Sequence, residues 1–452
     1  MTTSRLASLA LCVLLTGLVR TAAAQVVDGP PGSSRGVFGG AGGVGSPALA
    51  LTFDFEGGYD ANDLSQTDIP TSQFGPFQSG YVTTVATSLR FQRGRPERFF
   101  IGTGSGSVNH QQVARGQEFY RLTQSDLSLQ AATTLGRRSG LTVGAGSSYE
   151  PTFVFGAFDS LGRNTAVQSP LDEVPSPTAD PTLSLTAQRW LTGRISAGTY
   201  HNWTSRQRMS LDYSGLWFQP VSGPGFESRT DTVALLHGWN PRPTSGFELA
   251  YRYNRNVQSF ENAPAQPLDM HSAEGRIRLD RRLSPNRSLS FMLGGGVVGV
   301  GARAATQGSS FGRVLPTVSG SVQLRFLPTW GVLLSARRDI TVLNGLSSEP
   351  FESDAATLTI DGTAWRRLTM GVTGGYSQGR ARSAQGGDFD QTLLNAQIGY
   401  GFSARLGLVV SYSYTQHSFR NVPVATSSFP TQFGRNSVRV GLTMWLPLYG
   451  TF

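Results

Sequence analysis

Near its end the chain reads S-V-R-V-G-L-T-M-W-L-P-L over Ser437–Leu448. Val438, Val440, Leu442, Met444, Leu446 and Leu448 fall on one face, and Ser437, Arg439, Gly441, Thr443 and Trp445 on the other. A period of two is the signature of a β-strand. Segment 272–282 makes the same division more sharply. Ala273, Gly275, Ile277 and Leu279 oppose Glu274, Arg276, Arg278, Asp280 and Arg282. The second set is too charged for a protein core and fits a watery lumen, which leaves lipid for the first. Tyr81–Phe91, Leu127–Leu135, Val322–Phe326 and Leu394–Tyr400 alternate in the same way. The pattern predicts an all-β chain that forms a transmembrane antiparallel up-and-down β-barrel.

About 18 strands follow from the alternation, with 16 to 20 open because segment 206–218 can extend a strand, enter a loop or join a further hairpin. The expected strands in the first half are 48–60, 78–92, 98–107, 118–135, 140–156, 180–190, 194–205, 228–239 and 245–259. Those in the second half are 269–282, 288–302, 312–327, 330–343, 354–365, 368–380, 389–400, 405–419 and 434–448. Tight turns, for instance at Gly136–Gly140, Leu191–Gly193 and Asn240–Ser245, alternate with longer Pro-, Gly- and Asp-containing connections such as 61–77, 157–179, 260–268 and 420–433. Short periplasmic turns and longer extracellular loops are the barrel arrangement.

Residues 1–24 read as a secretory signal peptide, with Arg5, an apolar Leu6–Val19 and the small-residue site Ala22-Ala23-Ala24. Cys12 lies within it in a poor context for lipidation, so the exported part carries no thiol. Residues 25–47 read as a flexible periplasmic N-terminal segment, Gly-rich and without amphipathic period. It is too short for a globular plug. The barrel occupies 48–452. No other stretch is long and apolar enough for a spanning helix. A soluble all-β sandwich would need extra domains, and no linker divides this stretch.

Strand parity puts Arg90, Glu248, Arg252, Glu274, Arg276, Arg278, Asp280, Arg282, Arg325, Asp361 and Arg439 on the lumen-lining face. With a formal charge of +9 for the chain, a mixed lumen with a basic bias is expected, favouring anionic solutes. Arginines near the strand ends could instead meet lipopolysaccharide phosphates. Loop 157–179, with Asp172 and Glu173, is the candidate constriction loop. Trp190, Trp239, Trp330 and Trp365 lie beside expected short turns and are assigned to a periplasmic aromatic girdle. Strict parity turns Trp365 and Trp445 inward. Tyr251, Tyr253, Tyr412 and Tyr414 reach toward the opposite interface.

Little in the chain suggests catalysis. His110, His201, His237, His271 and His417 form no close metal-binding pair, and no G-x-S-x-G or H-E-x-x-H is present. Asp269-Met270-His271 puts an acid and a histidine on one strand face, as barrel-wall proteases do, but such pairs arise by chance. Gly102-x-Gly104-x-Gly106 is followed by no helical pattern and is not a dinucleotide site. No enzyme activity, cofactor or metal is expected, and no nucleic-acid partner.

The whole pattern resembles bacterial outer-membrane β-barrel proteins of the porin type. The ending Trp445-Leu446-Pro447-Leu448-Tyr449-Gly450-Thr451-Phe452 looks like the C-terminal assembly signal of such barrels, with Phe452 as its final aromatic. Pro447 departs from it by interrupting the ladder. The resemblance implies passage of small hydrophilic solutes by passive diffusion and recognition by the barrel-assembly machinery. It also implies a setting of outer-membrane lipid and lipopolysaccharide, with a homo-oligomer or a periplasmic partner open. The alternatives are a barrel component of an export system, as for exopolysaccharide, and a structural or adhesive closed barrel.

Overall fold

A computed structural model describes residues 48–63, 79–95, 98–113, 119–150, 190–221, 226–260, 263–303, 310–327, 329–342, 350–365, 367–381, 387–403, 405–420 and 432–449. They form β1 (Ala48–Asp63), β2 (Gly80–Arg95), β3 (Arg98–Val113), β4 (Phe119–Thr134), β5 (Ser139–Glu150) and β6 (Trp190–Asn202). Next come β7 (Gln207–Pro220), β8 (Phe226–Arg242), β9 (Ser245–Phe260), β10 (Ala263–Ser284), β11 (Arg287–Arg303) and β12 (Ser310–Leu327). Last are β13 (Trp330–Val342), β14 (Pro350–Trp365), β15 (Leu368–Ala381), β16 (Asp388–Gly401), β17 (Leu406–Arg420) and β18 (Gln432–Tyr449). Every strand pairs antiparallel with the next, and β1 pairs with both β2 and β18, so an 18-stranded sheet closes on itself. The assigned count and up-and-down order are those of the sequence reading.

Closure is continuous. β1 and β18 pair from Asp63 opposite Gly434 to Leu49 opposite Tyr449, with one register shift between Leu49 and Ala50. Ala50 faces Pro447 there. Proline has no N–H to give the ladder, so the irregularity falls where the donor is missing. On the inner face Asp60 is fully buried and accepts from Arg435 of β18, while Arg439 Nη2 stands 3.8 Å away.

Alternation gives the two faces. Phe55, Val85, Leu127, Ile195, Leu249, Ile277, Leu293 and Val440 point outward and are more than two-fifths exposed. Such an apolar surface, repeated around the ring, is a lipid-facing belt. No helix among the described residues is long and apolar enough to cross a membrane. The crossing elements are strands, and the barrel is of the outer-membrane type. Aromatic side chains border the belt. Trp239, Phe247, Phe291, Trp330, Trp365, Tyr400 and Phe402 lie near the short-turn end, and Tyr59, Tyr81, Trp217 and Tyr376 toward the other, with Tyr251 between them.

Three expectations are corrected. Leu191–Gly193 is not a turn but part of β6, and the turn of this hairpin is 203–206. Segment 206–218 is largely β7. Consequently Trp190 sits at the end opposite Trp239, Trp330 and Trp365, on the inner face and only 2% exposed, and it is not a girdle residue. Trp203, 57% exposed in the true turn, lies at the end to which Trp190 was assigned. The expected loop 260–268 is mostly β10, which begins at Ala263. Trp365 escapes strict parity through a register shift between Thr363 and Trp365 that pairs it with outward Leu368. Trp445 keeps inward parity and is buried. Segment 25–47, loop 157–179, residues 180–189 and Phe452 lie outside the described residues.

The seam between first and last strands gives a stability prediction. Arg435→Ala strips the main partner from a buried carboxylate and should cost about 3–5 kcal/mol. The readout is a lower temperature for loss of the compact band in heat-modifiability gels. Asp60→Asn combined with Arg435→Met should recover most of the loss.

Candidate functional site: a charged belt on the inner wall

The densest polar chemistry on the inner wall lies on β9–β13. In register across five strands stand Glu248, Arg276, Gly294, Ser319 and Arg337. The next row toward the long-loop end holds Ala250, Glu274, Gly296 and Thr317, and the row after it begins at Arg252. Arg276 Nη2 donates to Glu274 Oε2 at 2.6 Å, and Nη1 lies 3.5 Å from Glu248 Oε1. Ser319 Oγ donates to Glu274 Oε1 at 2.6 Å, so the network crosses β11 to reach β12. On β13 Arg337 pairs with Asp339. With its side chain only 8% exposed, Arg276 is the buried centre.

Gly294 makes this crossing possible. A Cβ there would stand 2.6 Å from Ser319 Oγ, 2.7 Å from Glu274 Oε1 and 2.9 Å from Arg276 Cγ. Without side chains on β11 at this level, the ion pairs lie flat against the wall instead of projecting into the lumen.

The other sequence-assigned residues spread toward the short-turn end and around the ring. Arg278 Nε is 3.1 Å from Asp280 Oδ2, and Asp280 Oδ1 accepts from Ser290 Oγ at 2.5 Å. Arg282 donates to Pro285 O at 3.4 Å, and Arg90 to Gln92 Oε1 at 3.3 Å. Arg325 and Asp361 face each other across Gly331. Arg439, by contrast, belongs to the seam around Asp60 and donates to Ser437 at 3.2 Å. The structure therefore joins Glu248, Glu274 and Arg276 in one network, with Arg252 beside it, and leaves the rest separate.

Inward residues that the sequence reading did not single out include Arg337 and Asp339, and the acids Asp54, Glu56, Asp60, Asp126 and Asp212. The alternation Leu333-Ser335-Arg337-Asp339 was readable, but the doublet Arg337-Arg338 hides it. Arg337 faces in, while Arg338 faces out and grips Asp354 at 2.6 Å and 2.8 Å. The added acids make the wall more evenly charged than the selection by parity suggested.

Exposure varies over the inner wall. Toward the long-loop end, inward Asn109, Gln258, Phe351 and Ser377 are at most 1% exposed. Nearer the short turns, inward Gln92, Phe99, Thr443 and Trp445 are buried as well, whereas Arg208, Arg278 and Arg282 are exposed. The Asp269–His271 pair, weighed above for proteolysis, faces outward. Tyr253 donates to Asp269 at 2.7 Å, and Tyr251 Oη lies 2.8 Å from His271 Nδ1. Among the described residues no group of three His, Cys, Asp or Glu side chains could hold a metal ion.

No family model and no curated protein matches the chain. Solved structures similar to it include Pseudomonas aeruginosa OpdL, 12% identical over 89% of this chain and 99% of that one, with a TM-score of 0.45. Acinetobacter baumannii OccAB4 is 10% identical over 88% and 98%, with a TM-score of 0.42. The P. aeruginosa outer membrane protein OpdK is 9% identical over 88% and 99%, with a TM-score of 0.41. These values are too low to carry any functional argument.

The space under Arg276 is testable. Gly294→Val should push Arg276 and Glu274 off the wall and cost about 1–3 kcal/mol by overpacking. Gly295→Val, on the lipid face where a Cβ meets only Thr317 O at 3.9 Å, should be near neutral in the same thermal assay.

Proposed function

We propose that the barrel is an outer-membrane channel for passive diffusion of small hydrophilic solutes, with a preference for anions. The observation that carries this reading is a basic excess on one side of the ring. Among the described residues, inward Arg252, Arg276, Arg278, Arg282, Arg325 and Arg337 on β9–β13 outnumber Glu248, Glu274, Asp280 and Asp339 there, whereas on β18, β1 and β2 the acids Asp54, Glu56 and Asp60 are matched by Arg90, Arg435 and Arg439. A wall with a local excess of arginine favours anionic solutes by focusing its field into the passage. A ring of this strand number is wide enough for an aqueous passage. Outward Arg229, Arg338 and Arg420 near the long-loop end suit phosphate groups of the surrounding lipopolysaccharide.

A structural barrel with a closed lumen is the second reading, and the buried inner-wall side chains Asn109, Gln258, Phe351 and Ser377 support it. Conductance separates the two. Purified protein in planar bilayers should give stable openings, with a reversal potential on the anion-selective side. Arg276→Gln combined with Arg278→Gln should lower the anion-to-cation permeability ratio roughly threefold, a fraction of the ~1 kcal/mol that a unit charge exerts at 4 Å in water. A folded barrel that never opens sinks the channel reading in favour of the closed one.

A further inference from the structure

On one side of the short-turn mouth the inner wall is buried. Val409 on β17, Thr443 and Trp445 on β18, Thr52 on β1, Gln92 on β2 and Phe99 on β3 point inward there and are at most 9% exposed. On the facing side Arg278, Arg282 and Arg325 are exposed. The wall alone does not shield this arc. Phe99 stands in register between Gly94 and Ala132, neighbours too small to cover a phenyl ring. Trp445 has the smaller Thr52 beside it. In a ring of eighteen strands no side chain of the far wall reaches across the lumen.

Segment 25–47 runs into β1 at Ala48, in the middle of the buried arc and at the same end of the barrel. Extended, a chain of that length spans up to ~75 Å, ample for the four strand spacings, about 19 Å, from β17 to β3. Residues 450–452 leave β18 at this end too, but they reach only about 11 Å, short of the ~14 Å between β18 and β3. Connection 151–189 leaves the wall at the opposite end. The chemistry of 25–47 also matches. Val26, Val27, Val37, Phe38 and Val44 suit contact with Phe99, Val409 and Trp445. Its charged residues are Asp28 and Arg35, and Arg35 is opposite in sign to Asp54 and Glu56, which face inward on β1 just beyond Thr52.

We propose that segment 25–47 enters the short-turn mouth and docks along this arc, from β17 to β3, as a strap that narrows the lumen from one side. Phe38 and the valines rest on the apolar wall, and Arg35 faces Asp54 and Glu56. The arc is centred on β1, and β10 lies half the ring away. The passage that remains therefore runs against Arg276, Arg278 and Arg282 of β10. A solute is held within reach of the basic side instead of spreading over the whole cross-section. This consequence for passage rests on the channel reading above, and the docking itself does not.

The test is photo-cross-linking of the full chain, folded in lipid nanodiscs, with benzoylphenylalanine in place of Phe38. After irradiation and digestion, mass spectrometry should find the probe attached to peptides of β17, β18 and β1–β3. Attachment confined to lipid or to other strands, or none at all in a barrel that keeps its compact band, overturns the docking. Conductance gives a second readout. Deleting 28–44 should raise single-channel conductance roughly 1.4-fold, in proportion to the five of eighteen strands it uncovers, and should lower the anion-to-cation permeability ratio. Val37→Asp combined with Phe38→Asp keeps the length of the chain and should shift both quantities in the same direction. A barrel that opens with unchanged conductance in both variants overturns the docking as well. A folded barrel that never opens to ions sinks the channel reading alone, and the cross-link then decides the docking.

Discussion

Each N–H and C=O that faces hydrocarbon without a partner costs several kcal/mol, so a sheet in a membrane has no tolerable edge. The rest of this structure follows from that demand. β1 and β18 pair over nearly their full length and bear the whole burden of closure. Their inner face adds Asp60, Arg435 and Arg439, side chains that no other strand pair could bring together.

A wall one residue thick serves two solvents, and glycine lets each face keep its large side chains. On the outer face the Trp217 ring lies over Gly193 and the Trp330 ring over Gly362, where Trp330 Nε1 also donates to Thr363 O at 3.1 Å. On the inner face Gly58 makes room for Arg439, Gly441 for Glu56 and Gly294 for Arg276. The wall thus carries interfacial indoles and luminal ion pairs at normal strand spacing.

This double use of glycine explains what could be read from the chain. Alternation alone located most strands, because residues such as Ile277 and Arg278 have no common solvent except across a barrel wall. It failed at Leu191–Gly193, where a glycine that clears space for an indole was taken for a turn. That error moved Trp190 to the wrong end and left β7 without a place. The charged belt was half visible. Glu248, Glu274 and Arg276 followed from parity, but their union through Ser319 depends on the empty position at Gly294, which is a fact about neighbours and not about spacing.

The Asp60–Arg435 contact joins residues 375 positions apart in the chain. Contacts of such separation form late, because the entropy of the intervening chain is spent before they return anything. A chain still waiting for β18 holds Asp60 on an unpaired edge, a carboxylate without its arginine beside amides without their carbonyls. That intermediate is tolerated in water and barred from hydrocarbon. The order of events is thereby set by solvent: the ring must be nearly shut before it is fully immersed, and the last strand, rather than the first, decides when the protein may become a membrane protein.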